Sequence, residues 1–486
     1  MIQFFEAVAF YAPELVSILA TLSAVLTTAH IVLHKQETRS AIGWIGLSWL
    51  VPVVGSALYL MLGVNRIHRR AVSLRADLQR YEPDEDARAV AGEKIDEHLA
   101  DRAAHLGQLV RLVDEVVRRP LLAGNHIEPL FNGEQAYPEM LEAIDNAQTS
   151  ISLSTYIFDN DKWGRKFAHA LTQAVQRGVE VRVLIDAAGL RYSFPSILGR
   201  LKRGGIKARR FLPSLWPPHL MSANLRNHRK VMVVDGRIGF TGGMNIRTAH
   251  VVSEDSKLPT RDLQFRIEGP VVSHLQEVFV DDWAFSANEE LRGETWFPTL
   301  EPKGELFARG IVDGPDENVD KLPWTLLGAI TSAQRTIRVV TPYFLPDESI
   351  VDALNVAAMR GVRVDIIMPK KNNLPYVQWA SFGQLRPLLV HGCNVWLTPP
   401  PFEHSKLTVV DRYWTLFGSS NWDPRSHRLN FEFDVECYDT DFADGLDDWA
   451  LDKLEGAHRI TLEEYDERGT ARKLRDGAFR LLAPYL

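Results

Sequence analysis

The chain has 486 residues, 45% hydrophobic and 24% charged. These are globular proportions that exclude a disordered or collagen-like chain, and the length predicts about three units. With 55 basic and 62 acidic side chains the formal charge is -7, which excludes nucleic-acid binding driven by bulk positive charge and leaves only local patches. The only two cysteines are Cys393 and Cys437. They exclude a disulfide framework and a thiolate zinc site, and fit a reducing compartment.

In chain order, the apolar residues concentrate first at the N-terminus. Leu15 to Leu33 carries no formal charge apart from a protonated His30, and Ala41 to Val64 carries none at all. A helix needs about 20 apolar residues to cross a bilayer. Residues 1–65 are therefore predicted to form two transmembrane helices, or one helix followed by a re-entrant hairpin. A cleaved signal peptide fits poorly, because Glu6 and Glu14 stand where a basic cluster belongs and a second apolar stretch follows at once. Beyond the second stretch come Arg66, Arg69, Arg70, Arg75 and Arg80 against the single acid Asp77, whereas the loop between the stretches holds Lys35, Glu37 and Arg39. The excess predicts a cytoplasmic C-terminal body, with a hairpin returning the N-terminus to the same side. Residues 66–120 mix charged and apolar positions and read as linker helices.

The rest of the body is written twice. Ala143-Ile144 and Ala147-Gln148 recur as Ala329-Ile330 and Ala333-Gln334 at an offset of 186; Arg177-Gly178-Val179 recurs as Arg360-Gly361-Val362 at 183. Each copy alternates buried-strand runs, such as ISLSTYIF and IRVVTPYF, with helical segments. This pattern predicts an α/β sandwich with a mostly parallel sheet, two copies facing each other across a pseudo-two-fold axis. The expected domains are 121–300 and 301–455, with a tail over 456–486.

The third repeated feature carries the chemistry. His228, Lys230 and Asp235 recur as His404, Lys406 and Asp411, both sets obeying H-x-K-x4-D at an offset of 176. Each is followed by a small-residue turn, Gly242-Gly243-Met244-Asn245 or Gly418-Ser419-Ser420-Asn421, with the asparagine seventeen positions after its histidine. On an extended chain the histidine and lysine, two apart, share one face. Asp235-Gly236 is a hairpin-turn signal, so both motif aspartates, though part of the candidate catalytic set, read as structural.

This double motif resembles the phospholipase D superfamily over residues 120 to 450. Leu50-Val51-Pro52-Val53-Val54-Gly55 and the phrase RIEGPVV from Arg266 to Val272 are similar to bacterial cardiolipin synthases in particular. The resemblance implies duplicated phospholipase D-like α/β/α sandwich domains behind a transmembrane hairpin, a site shared by both copies, and a cell (inner or plasma) membrane location. It further implies one histidine attacking phosphorus and the other protonating the leaving alcohol, with no metal or cofactor. By family habit His228 is the nucleophile and His404 the acid/base.

The physical logic agrees. A phosphodiester repels nucleophiles and needs cations and hydrogen-bond donors in its transition state. Lys230, Lys406, Asn245, Asn421 and Ser419 are the candidate phosphate ligands. A neutral imidazole can attack to form a phospho-histidine, splitting the transfer into two steps. Each imidazole needs a carboxylate to fix its tautomer. The candidates are Asp262 in the first copy, thirty-four residues after His228, and Glu432 in the second, twenty-eight after His404.

The expected reaction is phosphatidyl transfer between two molecules of phosphatidylglycerol, giving cardiolipin and glycerol. Hydrolysis of phospholipids is the alternative, a nuclease is disfavoured by the acidic balance, and an oligomer is compatible. His219, His250, His391 and His427 have no ligand-like spacing and read as surface or core residues, with His427 also a candidate to line the site. Leu215-Trp216-Pro217-Pro218 and Pro399-Pro400-Pro401-Phe402 read as acyl-chain guides or lid packing. The final segment mixes Arg472, Lys473, Arg475 and Arg480 with Leu474, Phe479, Leu481, Leu482 and Tyr485; it either lies on an anionic membrane surface or docks on the body.

Overall fold

The structure is a computed structural model that describes residues 2–35, 38–60, 103–212, 225–315 and 318–483, with Ile95 and Leu99. Several expected features lie outside these residues: most of the 66–120 linker, the arginines from Arg66 to Arg80, the Leu215–Pro218 stretch, His219 and Tyr485. The chain divides into two compact units, residues 1–70 and 71–486.

In the first unit, helix α1 (Ile2–His34) packs with α2 (Thr38–Leu50) and α3 (Pro52–Leu58). Trp49 Nε1 donates to Thr28 Oγ1 at 3.0 Å, and the Tyr59 hydroxyl lies 2.8 Å from His30 Nδ1. Large apolar side chains such as Ile18, Leu22 and Leu26 are exposed on α1, as suits a hydrocarbon environment. Among the described residues only α1, over Val16–His34, is long and apolar enough to cross a membrane. The second stretch is not one continuous helix. It breaks at Val51, whose φ of -136° and ψ of 75° are not helical, because Pro52 disfavours helical geometry in the residue before it and restarts the helix at its own first turn. Over the described part it forms two shorter helices, α2 and α3.

The second unit is built on one large sheet, beside a separate two-stranded pairing of Thr260–Arg261 with Phe402–Glu403. The first copy supplies β1 (Leu122–Phe131), β2 (Ser150–Thr155), β3 (Glu180–Asp186), β4 (Lys207–Phe211), β5 (Arg226–Asn227), β6 (Val231–Val234), β7 (Ile238–Gly242), β8 (Thr260–Arg261) and β9 (Leu263–Glu268). The second supplies β10 (Leu306–Asp313), β11 (Thr336–Val340), β12 (Arg363–Pro369), β13 (Asn394–Thr398), β14 (Phe402–Glu403), β15 (Leu407–Val410), β16 (Trp414–Gly418), β17 (Asn430–Tyr438) and β18 (His458–Ile460). From the antiparallel β1–β10 pair at the centre, the order runs β9-β7-β6-β2-β3-β4 one way and β17-β16-β15-β11-β12-β13 the other, with β18 at the far edge. The duplication in sequence is thus a two-fold repeat in space.

The sheet is mixed rather than mostly parallel. Along its main path, parallel pairing is confined to β2-β3-β4 and β11-β12-β13. The strands after each motif return as tight hairpins, which force antiparallel neighbours. Their turns need two successive positive φ values, supplied by Asp235 (52°) and Gly236 (63°) and by Asp411 (54°) and Arg412 (57°). Outer cores cover each copy's own sheet face, and a third cluster joins the copies. At its centre Phe265 of β9 stacks on Phe417 of β16 with ring centroids 3.7 Å apart. Apolar burial of this kind, about 25 cal/mol per Å², holds the copies as one body.

Candidate active site

Each motif histidine is delivered to the opposite copy. The two-residue β5 pairs with the start of β17, and the His228 amide then donates to the Phe431 carbonyl at 2.9 Å. Likewise β14 pairs with β8, and the His404 amide donates to the Arg261 carbonyl at 2.8 Å.

The flanking residues lock these segments with opposite charge patterns. In the first copy, Asp282 accepts from Arg229 at 2.6 Å and from Asn227 at 2.8 Å, while Arg229 Nε donates to the Glu432 carbonyl at 3.0 Å. In the second, the acid is Glu403 within the motif segment, bound by the Ser405 hydroxyl at 2.5 Å and by Lys453. A buried ion pair must be nearly complete to be tolerated, and both arrangements surround their acid with donors.

The crossing decides which carboxylate meets which ring. His228 Nδ1 lies 3.0 Å from the Glu432 carboxylate and 3.2 Å from the Ser419 carbonyl. Both are acceptors, so the proton sits on Nδ1 and the Nε2 lone pair is left for chemistry. His404 Nδ1 lies 2.7 Å from Asp262 Oδ2. The sequence placed one acid in each copy; the structure pairs each with the histidine of the other copy. Gly243 makes room for this, since a Cβ there would sit 2.1 Å from Asp262 Oδ1.

Lys230 and Lys406 each donate to the carbonyl of their own histidine at 2.5 Å, and the Lys406 ammonium is 3.2 Å from both His404 ring nitrogens. Burial lowers Lys230 to about 7 and Lys406 to about 8. Burial also lowers both histidines. It carries His404 well below the ordinary value, with Lys406 and Lys230 adding, while Glu432 opposes the fall at His228. For Glu432 burial raises the pKa, but His228, Lys230 and the Ser419 hydroxyl outweigh it and hold the carboxyl at about 2. Asp262 stays raised, because burial exceeds the pull of Lys406 and His250. An ionised Glu432 can therefore stabilise positive charge on His228 whenever that ring is protonated or phosphorylated.

The other expected residues divide. Asn245 and Asn421 are buried; Asn245 Oδ1 accepts from the Ile157 amide at 2.9 Å, and Asn421 Nδ2 lies 3.4 Å from Ser426 Oγ. The Ser419 hydroxyl donates to Glu432 at 2.5 Å and accepts from the Phe433 amide at 3.0 Å. In this arrangement it holds the Glu432 carboxylate that meets His228. Asp235 accepts from the amides of Gln148, Thr149 and Ser150 at 2.7–3.1 Å, and Asp411 from those of Gln334, Arg335 and Thr336 at 2.7–2.8 Å. Both carboxylates thus cap backbone amides next to their turns.

Two groups escaped the sequence reading. Tyr156 meets the His228 ring edge-on at 5.2 Å; Tyr343 meets the His404 ring at 6.5 Å, and Phe402 lies nearer to it at 5.8 Å. His250 Nε2 accepts from the Asn245 amide at 3.3 Å, and its Nδ1 is 3.8 Å from Asp262 Oδ2. It thus stands behind the Asp262–His404 pair. Its counterpart at the motif offset of 176 is Ser426, whose Oγ accepts from the Asn421 amide at 3.1 Å; the next residue, His427, is buried, and neither ring nitrogen has a hydrogen-bond partner. Spacing could not reveal His250, because what matters is the carboxylate it faces in space.

A duplicated sheet with two facing His-Lys-Asn sets defines a phospholipase D-like protein, a class suited to phosphodiester chemistry. The comparisons narrow it. A family model described as "Cardiolipin synthase, PLD-like domain" matches residues 140–283 and 326–452, and one described as "Phospholipase D-nuclease N-terminal" matches 22–63. The chain is 31% identical over 461 residues to cardiolipin synthase 2 of Staphylococcus epidermidis, covering 94% of both chains. It is 30% identical over 480 residues to the cardiolipin synthase of Geobacillus kaustophilus, covering 97% of this chain and 94% of that one. A crystal structure of phosphatidylserine synthase from Haemophilus influenzae shares the fold, with a TM-score of 0.60 over 78% of this chain, all of that one, and 16% identity. The chain belongs to the cardiolipin synthase family of phospholipase D-like phosphatidyltransferases.

Proposed function

We propose that this protein makes cardiolipin from two molecules of phosphatidylglycerol through a phosphatidyl-histidine. The observation that carries the mechanism is the crossed pairing of His228 with Glu432 at 3.0 Å and of His404 with Asp262 at 2.7 Å. His228 Nε2 attacks phosphorus while the bond to the glycerol headgroup breaks. His404 gives its proton to the departing glycerol oxygen. The phosphorylated imidazole keeps its Nδ1 proton and becomes cationic, and ionised Glu432 stabilises it. A hydroxyl of the second phosphatidylglycerol then loses its proton to His404 and attacks phosphorus, and the bond to His228 breaks.

Lys230, Lys406, Asn245 and Asn421 neutralise and bind the non-bridging oxygens throughout. The anionic phosphate also raises His404 from its low resting value, so that binding arms the acid. The reaction needs no metal in this reading. The apolar N-terminal segment anchors the chain in the cell membrane as a multi-pass hairpin, with the catalytic body cytoplasmic.

The test is purified full-length protein with labelled phosphatidylglycerol in mixed micelles. Cardiolipin and glycerol in equal amounts are expected. Phosphatidic acid as the main product would replace transfer by hydrolysis.

A further inference from the structure

The helix Thr470–Leu481 has two opposed faces. One docks on the body. Phe479 meets Trp379 edge-on with centroids 5.0 Å apart, and Arg475 lies over the same Trp379 ring at 4.5 Å. Asp476, 1% exposed, binds both Arg468 and Arg475 at 2.7 Å. Of the two alternatives open for this segment, docking is therefore realised.

The opposite face is apolar and uncovered. With 3.6 residues per turn, Leu474, Ala478 and Leu481 fall in one stripe, and Leu482 lies at its edge. Leu474 is 69% exposed, Leu481 75% and Leu482 49%. A helix that merely docked on the body would turn polar side chains outward there. Arg475 borders the stripe on one side and Lys473 and Arg480 on the other, all exposed at residue level. With Arg472 the helix carries four cations against the single acid Asp476, in a chain whose net charge is -7.

We infer that this outward face binds an anionic lipid surface, the leucines entering the acyl boundary and the cations reaching the headgroups. An apolar stripe between cationic margins matches such a surface in both polarity and charge. The docked face then becomes a mechanical link to the site. Trp379 belongs to the helix Pro375–Phe382, and just before that helix Asn373 Oδ1 accepts from the Tyr343 hydroxyl at 2.8 Å. Tyr343 in turn walls His404. One packed helix thus separates the lipid-binding face from the wall of the site, which would set the orientation of the catalytic body on the bilayer.

Cys393 and Cys437 are both buried, so Leu474→Cys or Leu481→Cys in the full-length chain accepts a bimane label alone. In vesicles rich in phosphatidylglycerol the label's emission should shift to the blue and be quenched by lipids brominated on the acyl chains. Both effects should weaken in pure phosphatidylcholine and in high salt. Water-like emission in phosphatidylglycerol vesicles overturns the inference, as does a response that ignores lipid charge. A blue shift without quenching by brominated lipid also overturns it, because the stripe would then be covered by a second copy of the chain. The readout is independent of which lipid reaction the site performs.

Discussion

Glu432 binds His228 at 3.0 Å although 204 positions separate them in the chain. The mirror contact, Asp262 to His404, spans 142 positions. Neither half therefore holds a complete histidine-carboxylate pair of its own. The crossed arrangement predicts that Glu432→Gln disturbs His228 and spares His404, while Asp262→Asn does the reverse. In proteins whose imidazole nitrogens are ¹⁵N-labelled, the shift should appear at the opposite copy's ring. Each variant should lose roughly 10²–10⁴-fold in kcat through tautomer and orientation. A shift at the same copy's histidine would refute the pairing.

The two histidines should also separate by leaving group. His228→Ala and His404→Ala should each abolish turnover of phosphatidylglycerol. A phosphatidyl ester of a nitrophenol needs no proton to depart, so His404→Ala should still give a stoichiometric burst of nitrophenol. His228→Ala should give none. A burst from His228→Ala alone would exchange the two roles.

The lysines give the pH dependence a sign. Lys230 and Lys406 are lowered to about 7 and about 8, so each is charged below its value and neutral above it. In the free enzyme kcat/KM should fall as pH rises through that interval, since the phosphate loses its cations. A bound phosphodiester raises both values, so kcat should hold to higher pH. The double variant Lys230→Met/Lys406→Met should be slow and lack this alkaline limb, whereas each single variant keeps the part due to its remaining lysine. A kcat/KM that stays flat between pH 6 and pH 9 in the unaltered protein would count against cationic lysines as the phosphate clamp.

Asp235 and Asp411 should matter to stability rather than chemistry. Each carboxylate collects three consecutive backbone amides, and losing hydrogen bonds to a charged acceptor costs about 1.5–3 kcal/mol. Asp235→Asn tolerates the positive φ but removes the charge. The urea midpoint should drop by that energy divided by m, with kcat per folded molecule unchanged. A large fall in kcat without loss of stability would return Asp235 to the site.

His250 is the group to test behind Asp262. His250→Ala leaves the Asn245 amide without its acceptor and opens a space beside Asp262. A fall in kcat of roughly tenfold is expected, the size typical of partners one layer removed, with KM little changed. His250→Gln, which keeps an acceptor, should recover part of it. Equal losses in both variants, tracking stability alone, would make His250 a packing residue.

Much of this site was legible because the duplication aligned two short motifs. The histidines, lysines and asparagines could be named from spacing, and Asp235-Gly236 announced its hairpin. Glu432 and Asp262 were also found as acids, yet their partners could not be assigned, because β5 and β14 cross to the other copy as strands of two residues. Such pairs have too few positions to leave a periodic signal. Ser419 shows the same limit: spacing marks a hydroxyl beside a motif asparagine, but not the buried carboxylate to which it donates. The mostly parallel sheet was expected from strand and helix alternation, but the motif hairpins impose antiparallel neighbours at the centre.

By itself the sequence determined the repeat, the paired His-Lys-Asn chemistry, the apolar N-terminal segment and the family, all of which rest on residue type and spacing along the chain. Only the tertiary structure decided which carboxylate serves which histidine, that Pro52 interrupts the second apolar stretch after α2, and that the last helix covers one face and leaves a leucine stripe on the other. These depend on contacts between residues far apart in the chain, or on how a particular backbone turns. The carboxylate pairing is settled when burial forces the two copies to share one sheet.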